Sequence, residues 1–365
     1  MASNKIKFDN NTTLAGAGSL IKHTGGNVTY MLLGEPGIGK SSLLRSLGAE
    51  LNEQAVKAKQ PPFEMVYVDA PLVDVPDIAM PMVNKDTVET HYAPNHLWKL
   101  RSPNRKIIMV DEIGKAAGPS KLVLTRLVLE RSIGDIPLPA GSIVFATSNL
   151  STDGVGDSLQ AHINNRVSRL LVQKPDAKTW CLWGSNNNVD PMVISWVHQT
   201  PHCLASYLEN NQDENPYIFN PKTNTTAFVS PRSLAKAGFI ISKRAELGND
   251  LTLRGLAGCI GMRAAADMEA YFDMADQLPT WEAIERDPEG IKLPGSATAQ
   301  FMLLYGSVAQ VEPKQLIAHI KFLKRFKEEM QAVWAKAMIQ NSAKRQWVTT
   351  EKKFTGMAVD LGNIL

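Results

Sequence analysis

The residues best suited to chemistry lie in the stretch Met31 to Leu44, "MLLGEPGIGKSSLL". Gly34, Glu35, Pro36, Gly37, Ile38, Gly39, Lys40 and Ser41 fit the pattern G-x-x-x-x-G-K-[ST], with an apolar run before it and a helix-compatible run after it. Glycines permit backbone angles that turn successive N–H groups inward toward phosphate oxygens, and a helix starting near Lys40 adds the positive end of its dipole. In such a cradle Lys40 reaches the β and γ phosphates, the Ser41 hydroxyl holds magnesium, and Ser42 completes the binding segment. A second stretch, "KIIMVDEI", delivers Asp111 and Glu112 behind four apolar residues. Asp111 suits a direct or outer-sphere contact to Mg2+, and Glu112 can accept a proton from an attacking water. "IVFATSN" ends on Asn149, whose amide can orient that water without gaining or losing charge. "HINNRVSRLLV" offers Arg166 and Arg169, three apart and so on one face if helical, while "SPRSL" offers Arg232 at the start of a helix. A guanidinium suits the stabilisation of transferred phosphoryl charge, in a neighbouring copy for Arg166 or Arg169 and as a clamp on the γ-phosphate for Arg232.

These residues need a frame to hold them. Short apolar runs at Val28 to Leu33, Glu64 to Ala70, Lys106 to Glu112, Ser142 to Asn149 and Arg169 to Gln173 read as five strands alternating with helical stretches. Near-continuous apolar strands of that kind imply an α/β fold with a parallel sheet buried on both faces, in which ligands bind beyond the carboxyl ends of the strands. From Pro175 the strand signal fades, and polar loops at Ser185 to Asn188 and Asn210 to Thr226 separate helical segments. Ser230 before Pro231 marks a helix start, and apolar residues at three-to-four spacing predict one last helix from about Pro313 to Ile339.

At 365 residues, 44% hydrophobic and 21% charged, the chain has the balance of a globular protein with two or three domains. A net charge of +3 gives no sign of a dedicated nucleic-acid or membrane surface. Cys181, Cys203 and Cys259 form no CxxC pair, which argues against a disulfide or zinc framework. No signal-like core or spanning run is present, so a cytoplasmic location is expected, the host cytoplasm if a phage encodes the chain.

Taken in order, the motifs resemble those of an AAA+ ATPase. "GEPGIGKSS" is similar to its Walker A, "IIMVDE" to its Walker B, "TSN" to sensor 1, "NNR" to the arginine-finger segment and "SPR" to sensor 2. Within AAA+ proteins the chain is most similar to the MoxR type of phages and bacteria, in the helix-2-insert clade. "VYVDAPLVDVPDIAMPMV" resembles the segment leading into that insert, and "LERSIGDIPLPAGSIVFATSN" resembles the pre-sensor-1 hairpin and sensor 1. The C-terminal stretches "LRGLAGCIGMRAAADMEAYFDMADQLP" and "AIERDPEGIKLPGSATAQFMLLYGSVA" match more loosely. The resemblance implies a P-loop core at 1–175 with a five-stranded sheet in the order 5-1-4-3-2, an all-α lid with sensor 2 at 176–277 and a C-terminal helical extension at 278–365. It implies ATP and Mg2+ as cofactors, nucleotide between subunits, a ring that is commonly hexameric, and chaperone-like remodelling with a protein substrate or a von Willebrand factor A-domain partner. Two departures from the family pattern stand out. Val167 follows Arg166 where the family often has Phe, which keeps Arg169 as a rival finger, and the stretch before Walker B is short, so a reduced insert is expected.

Other features carry less. "WVHQTPHC" gathers two histidines and a cysteine without a further ligand at metal spacing, and "NKDT" at Asn84 has Thr87 where a guanine-reading motif needs aspartate. Trp98, Trp180, Trp183, Trp281 and Trp334 read as core rather than stacking platforms. Three alternatives to protein remodelling stay open: a nucleic-acid motor or helicase loader on the same scaffold, a nucleotide-gated switch with little turnover, and, more distantly, a P-loop small-molecule kinase. The absence of a DNA-binding appendage disfavours the first, and the Asp111–Glu112 pair disfavours the second.

Overall fold

The computed structural model describes residues 10–134, 136–150, 166–222, 226–275 and 277–362. The chain divides into two compact units, Met1–Lys174 and Pro175–Leu365. The first is α/β. Its strands in chain order are β1 (Asn11–Thr12), β2 (Tyr30–Leu33), β3 (Glu64–Asp69), β4 (Ala79–Asn84), β5 (Glu89–Pro94), β6 (Lys106–Asp111), β7 (Ser132–Ile133), β8 (Ile136–Pro137), β9 (Ile143–Ser148) and β10 (Ser168–Val172). Six of them form one parallel sheet in the order β1-β10-β2-β9-β6-β3, while β4 with β5 and β7 with β8 make two antiparallel pairs.

The sheet corrects the expectation of five strands in the order 5-1-4-3-2. A sixth, β1, pairs with β10 at one edge through Asn11–Leu171 and Thr12–Val172, so the order across the sheet begins with an element the expectation lacked. Two polar residues carry no periodicity, and only the neighbouring edge makes them a strand.

Every residue of β2, β6 and β9 is buried, as a sheet covered on both faces requires. Alternation sorts their side chains into two cores. Met31, Ile108, Val110 and Val144 pack on one face with Leu124 and Leu127 of the helix Gly118–Glu130. Leu32, Met109, Phe145 and Leu170 pack on the other with Leu43, Leu44 and Leu47 of the helix Leu43–Lys57. Edge strand β3 buries Val66 and Val68 but leaves Met65 and Tyr67 exposed. The stretch expected to hold a reduced insert carries a short helix, Val75–Ile78, and the β4–β5 hairpin.

The amino-terminal ends of the strands are tied by Arg131, which sits in the left-handed region (φ 54°) just past the helix Gly118–Glu130. Its guanidinium donates to the carbonyls of Gly26, Gly25 (2.8 Å) and Ser142 (2.7 Å), joining the segments that enter β2 and β9.

Among the described residues the second unit contains helices and loops only. One apolar cluster runs from Ala177 to Leu361. Inside it lies a polar chain: Trp334 Nε1 donates to Ser307 Oγ (3.0 Å), Ser307 Oγ lies 2.7 Å from His319 Nδ1, and His319 Nε2 lies 3.2 Å from Glu285 Oε1. Trp281 stacks on the His319 ring at 4.2 Å. The order serine, histidine, carboxylate is that of a nucleophilic triad, but Ser307 and His319 are wholly buried and the serine oxygen already takes the indole N–H. Burial lowers the His319 pKa against the opposing pull of Glu285. The network fastens helices together; it offers no nucleophile. The helix expected last, from about Pro313 to Ile339, is two helices, Leu316–Leu323 and Glu328–Gln340, broken where Lys327 is extended and Gln331 donates to the carbonyls of Lys324 (3.1 Å) and Phe326 (2.7 Å). Two further helices, Ser342–Val348 and Lys352–Asp360, follow it. Trp183 is also a correction, being 46% exposed rather than core. Among the described residues no helix is long and apolar enough to cross a membrane.

Arg131→Ala removes a charged donor from three carbonyls and is expected to cost about 2–4 kcal/mol in urea unfolding, with a change below about 0.5 kcal/mol contradicting the assignment.

Candidate active site

The loop after β2 is shaped by glycines at the positions where other residues would be strained. Gly37 and Gly39 have φ of 77° and 100°, and a Cβ on Gly34 would lie 2.7 Å from the carbonyl oxygen of Val172 at the end of β10. A single 3-10 turn, Lys40–Ser42, then passes into the helix Leu43–Lys57, so the helix begins with a tighter turn than expected. Lys40 is only 7% exposed. Its ammonium donates to Gly34 O (2.6 Å), Glu35 O (2.9 Å) and Asn149 Oδ1 (3.2 Å), across the mouth of the loop. Glu35 is buried with its carboxylate 3.9 Å from Lys174 Nζ, while Ser42 Oγ closes back on Gly39 O (2.7 Å).

Strand register supplies the other half. In the parallel pairing Met109 faces Phe145 and Val110 faces Ala146, so Asp111 emerges beside Thr147; on its other side it pairs with Asp69. Asp111, Thr147 and Tyr67 follow the parity of Met109 and Phe145, which puts them on the face that carries the helix Leu43–Lys57. The Asp111 carboxylate accepts three hydroxyls there. Ser41 (2.7 Å) and Tyr67 (2.9 Å) donate to Oδ2, and Thr147 donates to Oδ1. Glu112, next in sequence, leaves the strand in the left-handed region (φ 52°) and starts the 3-10 turn Ile113–Lys115. Its carboxylate pairs with Lys115 through Oε2 and lies 3.4 Å from Asn149 Nδ2 through Oε1.

Acidic charge accumulates at this end of the sheet. Burial, then the fields of Asp111 and Glu112, raise the Asp69 pKa, with Lys115 opposing. Although the ring is half exposed, partial burial of the hydroxyl and its hydrogen bond to Asp111 drive the Tyr67 phenol far above its usual value, so it stays protonated and donates to that carboxylate. The donor set fits Mg2+. Ser41 Oγ and Asp111 Oδ2 stand 2.7 Å apart, within a few tenths of an ångström of the ~3.0 Å edge of an octahedron with ~2.1 Å metal–oxygen bonds. Among the described residues no three His, Cys, Asp or Glu side chains group to hold a metal. An ion completed by phosphate and water does not need them.

Lys40, Ser41, Asp111, Glu112 and Asn149 therefore meet. The arginines are placed differently. Arg166 is exposed in a turn, and its preceding residues, His162 to Asn165, lie outside the described ones. Arg169 is on β10 rather than on a helical face with Arg166, at the amino-terminal end of the strand and opposite to the end where Asp111 emerges. Arg232 is exposed in the first turn of the helix Pro231–Ile241, behind the Ser230–Ser233 capping box of the second unit. Thr147, Tyr67 and Lys115 were absent from the sequence reading. The sequence signal for Thr147 is its position two residues before Asn149, at the carboxyl end of the run that delivers that amide.

No family model matches the chain, and no curated protein matches it. Among solved structures it is similar to the Holliday junction branch migration motor RuvB of Thermotoga maritima, at 14% identity over 86% of each chain (TM-score 0.33). It is similar to PCH-2 of C. elegans at 14% identity, covering 86% of this chain and 68% of that one (TM-score 0.32). A third likeness is to Hsp104 with ATPyS and FITC casein, at 12% identity over 66% of this chain and 39% of that one (TM-score 0.34). At that level of likeness, activity has to be read from this chain's own side chains.

Asp69 has a raised pKa in the folded state, so the native form binds its proton more tightly than the unfolded chain, and stability is lost as pH rises through that range. Asp69→Asn should therefore raise the urea midpoint at pH 7 and leave it nearly unchanged near pH 3, where the Asp69 carboxyl is largely protonated in the folded and the unfolded chain alike. A midpoint lowered at pH 7 would contradict this.

Proposed function

We propose that the chain is an ATP-binding and Mg2+-dependent ATP-hydrolysing protein of the AAA+ type, MoxR-like and of phage or bacterial origin. The observation that carries the reading is the meeting of Lys40, Ser41, Asp111, Glu112 and Asn149 at the carboxyl ends of adjacent parallel strands. In this reading the backbone of Gly34 to Ser42 cradles the triphosphate, and Lys40 exchanges its loop carbonyls for β and γ phosphate oxygens. Ser41 and Asp111 would hold Mg2+, which when bound neutralises charge building on the phosphates. Glu112 takes a proton from water while Asn149 orients it; the water oxygen bonds to the γ phosphorus as the bond to the bridging oxygen breaks, giving ADP and phosphate.

Arg166 or Arg169 serves as the finger toward a second copy of the chain, and the opposite strand end occupied by Arg169 favours action between copies over action within one. Arg232 serves as the sensor on a lid at 176–277, with 278–365 as a C-terminal extension. A homo-oligomeric ring, commonly hexameric, that remodels a protein substrate or a von Willebrand factor A-domain partner is the role that fits such a site.

Two experiments test the reading. Glu112→Gln should cut ATP turnover by about 10²–10⁴-fold while ATP binding stays intact, and wild-type turnover in that variant would refute the base assignment. Lys40→Ala and Arg166→Ala proteins, each inactive alone, should recover activity on mixing if the site is shared. Failure at every ratio would count against it, and normal hydrolysis by Arg166→Ala with loss in Arg169→Ala would move the finger to Arg169.

A further inference from the structure

We infer that Thr147 is a positioning residue that locks the metal-holding and proton-accepting carboxylates into one register. The inference rests on the hydrolytic reading above for its kinetic consequence, and on geometry alone for the lock. Thr147 is fully buried at the end of β9, one step beyond the pairing of Val110 with Ala146. A hydroxyl has one proton to give and lone pairs to receive with. Both functions are used, and their directions are forced. The Asp111 carboxylate can only accept, so the Thr147 proton goes to Oδ1; the Glu112 backbone N–H can only donate, so it enters Thr147 Oγ1 at 3.1 Å.

The second bond falls where the chain most needs holding. Glu112 is a non-glycine residue at φ 52°, a conformation that persists only where surrounding contacts impose it. That turn swings its carboxylate out of the strand line toward Asn149, whose Nδ2 lies 3.4 Å away. Asn149 is itself two residues from Thr147, one residue past the end of β9. One buried oxygen thus fixes Asp111 by its side chain, Glu112 by its backbone, and through the strand the place of Asn149. The Thr147 hydroxyl is spent on Asp111 and Glu112, and its role is to set the place of those two residues relative to one another.

Thr147→Val keeps shape and removes both bonds, and Thr147→Ser restores them. Amide hydrogen exchange at Glu112, measured on the protein with no nucleotide, should become at least roughly tenfold faster in the valine variant and return toward wild type in the serine variant. Turnover number should fall roughly 100-fold in the valine variant while KM for ATP stays within about threefold, with the serine variant recovering most of the loss. Unchanged Glu112 exchange in Thr147→Val would overturn the lock. Faster exchange with wild-type turnover would overturn its importance for hydrolysis. Failure of serine to rescue would reduce Thr147 to a packing residue and overturn the proposal. A wild-type protein that turns over no ATP would sink the hydrolytic reading, while the exchange measurement still decides whether Thr147 holds Glu112.

Discussion

Asp111 accepts hydrogen bonds from Ser41, Tyr67 and Thr147, and those hydroxyls arrive from a 3-10 turn, an edge strand and a central strand. A carboxylate at the rim of an apolar core is costly unless its lone pairs are used. Here they are used by groups far apart in sequence, which meet only if β3, β6 and β9 hold their registers and the helix Leu43–Lys57 lies on the correct face. A one-residue slip of either neighbour would turn Tyr67 or Thr147 to the other side of the sheet. The two apolar cores enforce the register, because the same slip would turn Val68 to the exposed side of β3, or exchange Val144 and Phe145 between two cores packed for different side chains.

Lys40 completes the balance. Its ammonium is almost fully buried, satisfied by two loop carbonyls and the Asn149 amide. Such a charge is tolerated because every proton has an acceptor, and it is available to a stronger acceptor of opposite sign, which a phosphate oxygen is. Glu112 is held between Lys115 and Asn149 on the opposite lip. Cations and carboxylates thus alternate around the loop mouth, with the excess of acid on the side where a divalent ion would complete them.

Much of this could be read from residues in order. Near-continuous apolar runs ending in Gly34, Asp111 and Asn149 told of a parallel sheet and of the end at which its polar residues gather. The rest depended on neighbours in space. Strand β1 is two polar residues made into a strand by β10. Tyr67 and Thr147 became partners of Asp111 only once the register was known, since neither residue type signals it. The helix expected from Pro313 to Ile339 keeps its apolar spacing through the break at Lys324 to Lys327, where the backbone turns extended at Lys327 and Gln331 takes up the freed carbonyls, neither of which spacing reports. Arg166 and Arg169 fitted a helix by spacing, yet β10 begins between them, because a strand adds pairing with Met31 that spacing does not report.

Under the proposed function, the loop, Lys40 and the Ser41–Asp111 pair together form a site for a nucleoside triphosphate with a divalent ion. Calorimetric titration of the full chain with ATP and with AMP, each with and without Mg2+, decides this. ATP should bind far more tightly than AMP, and Mg2+ should strengthen the binding of ATP alone. Equal binding of ATP and AMP, indifferent to Mg2+, would overturn the assignment.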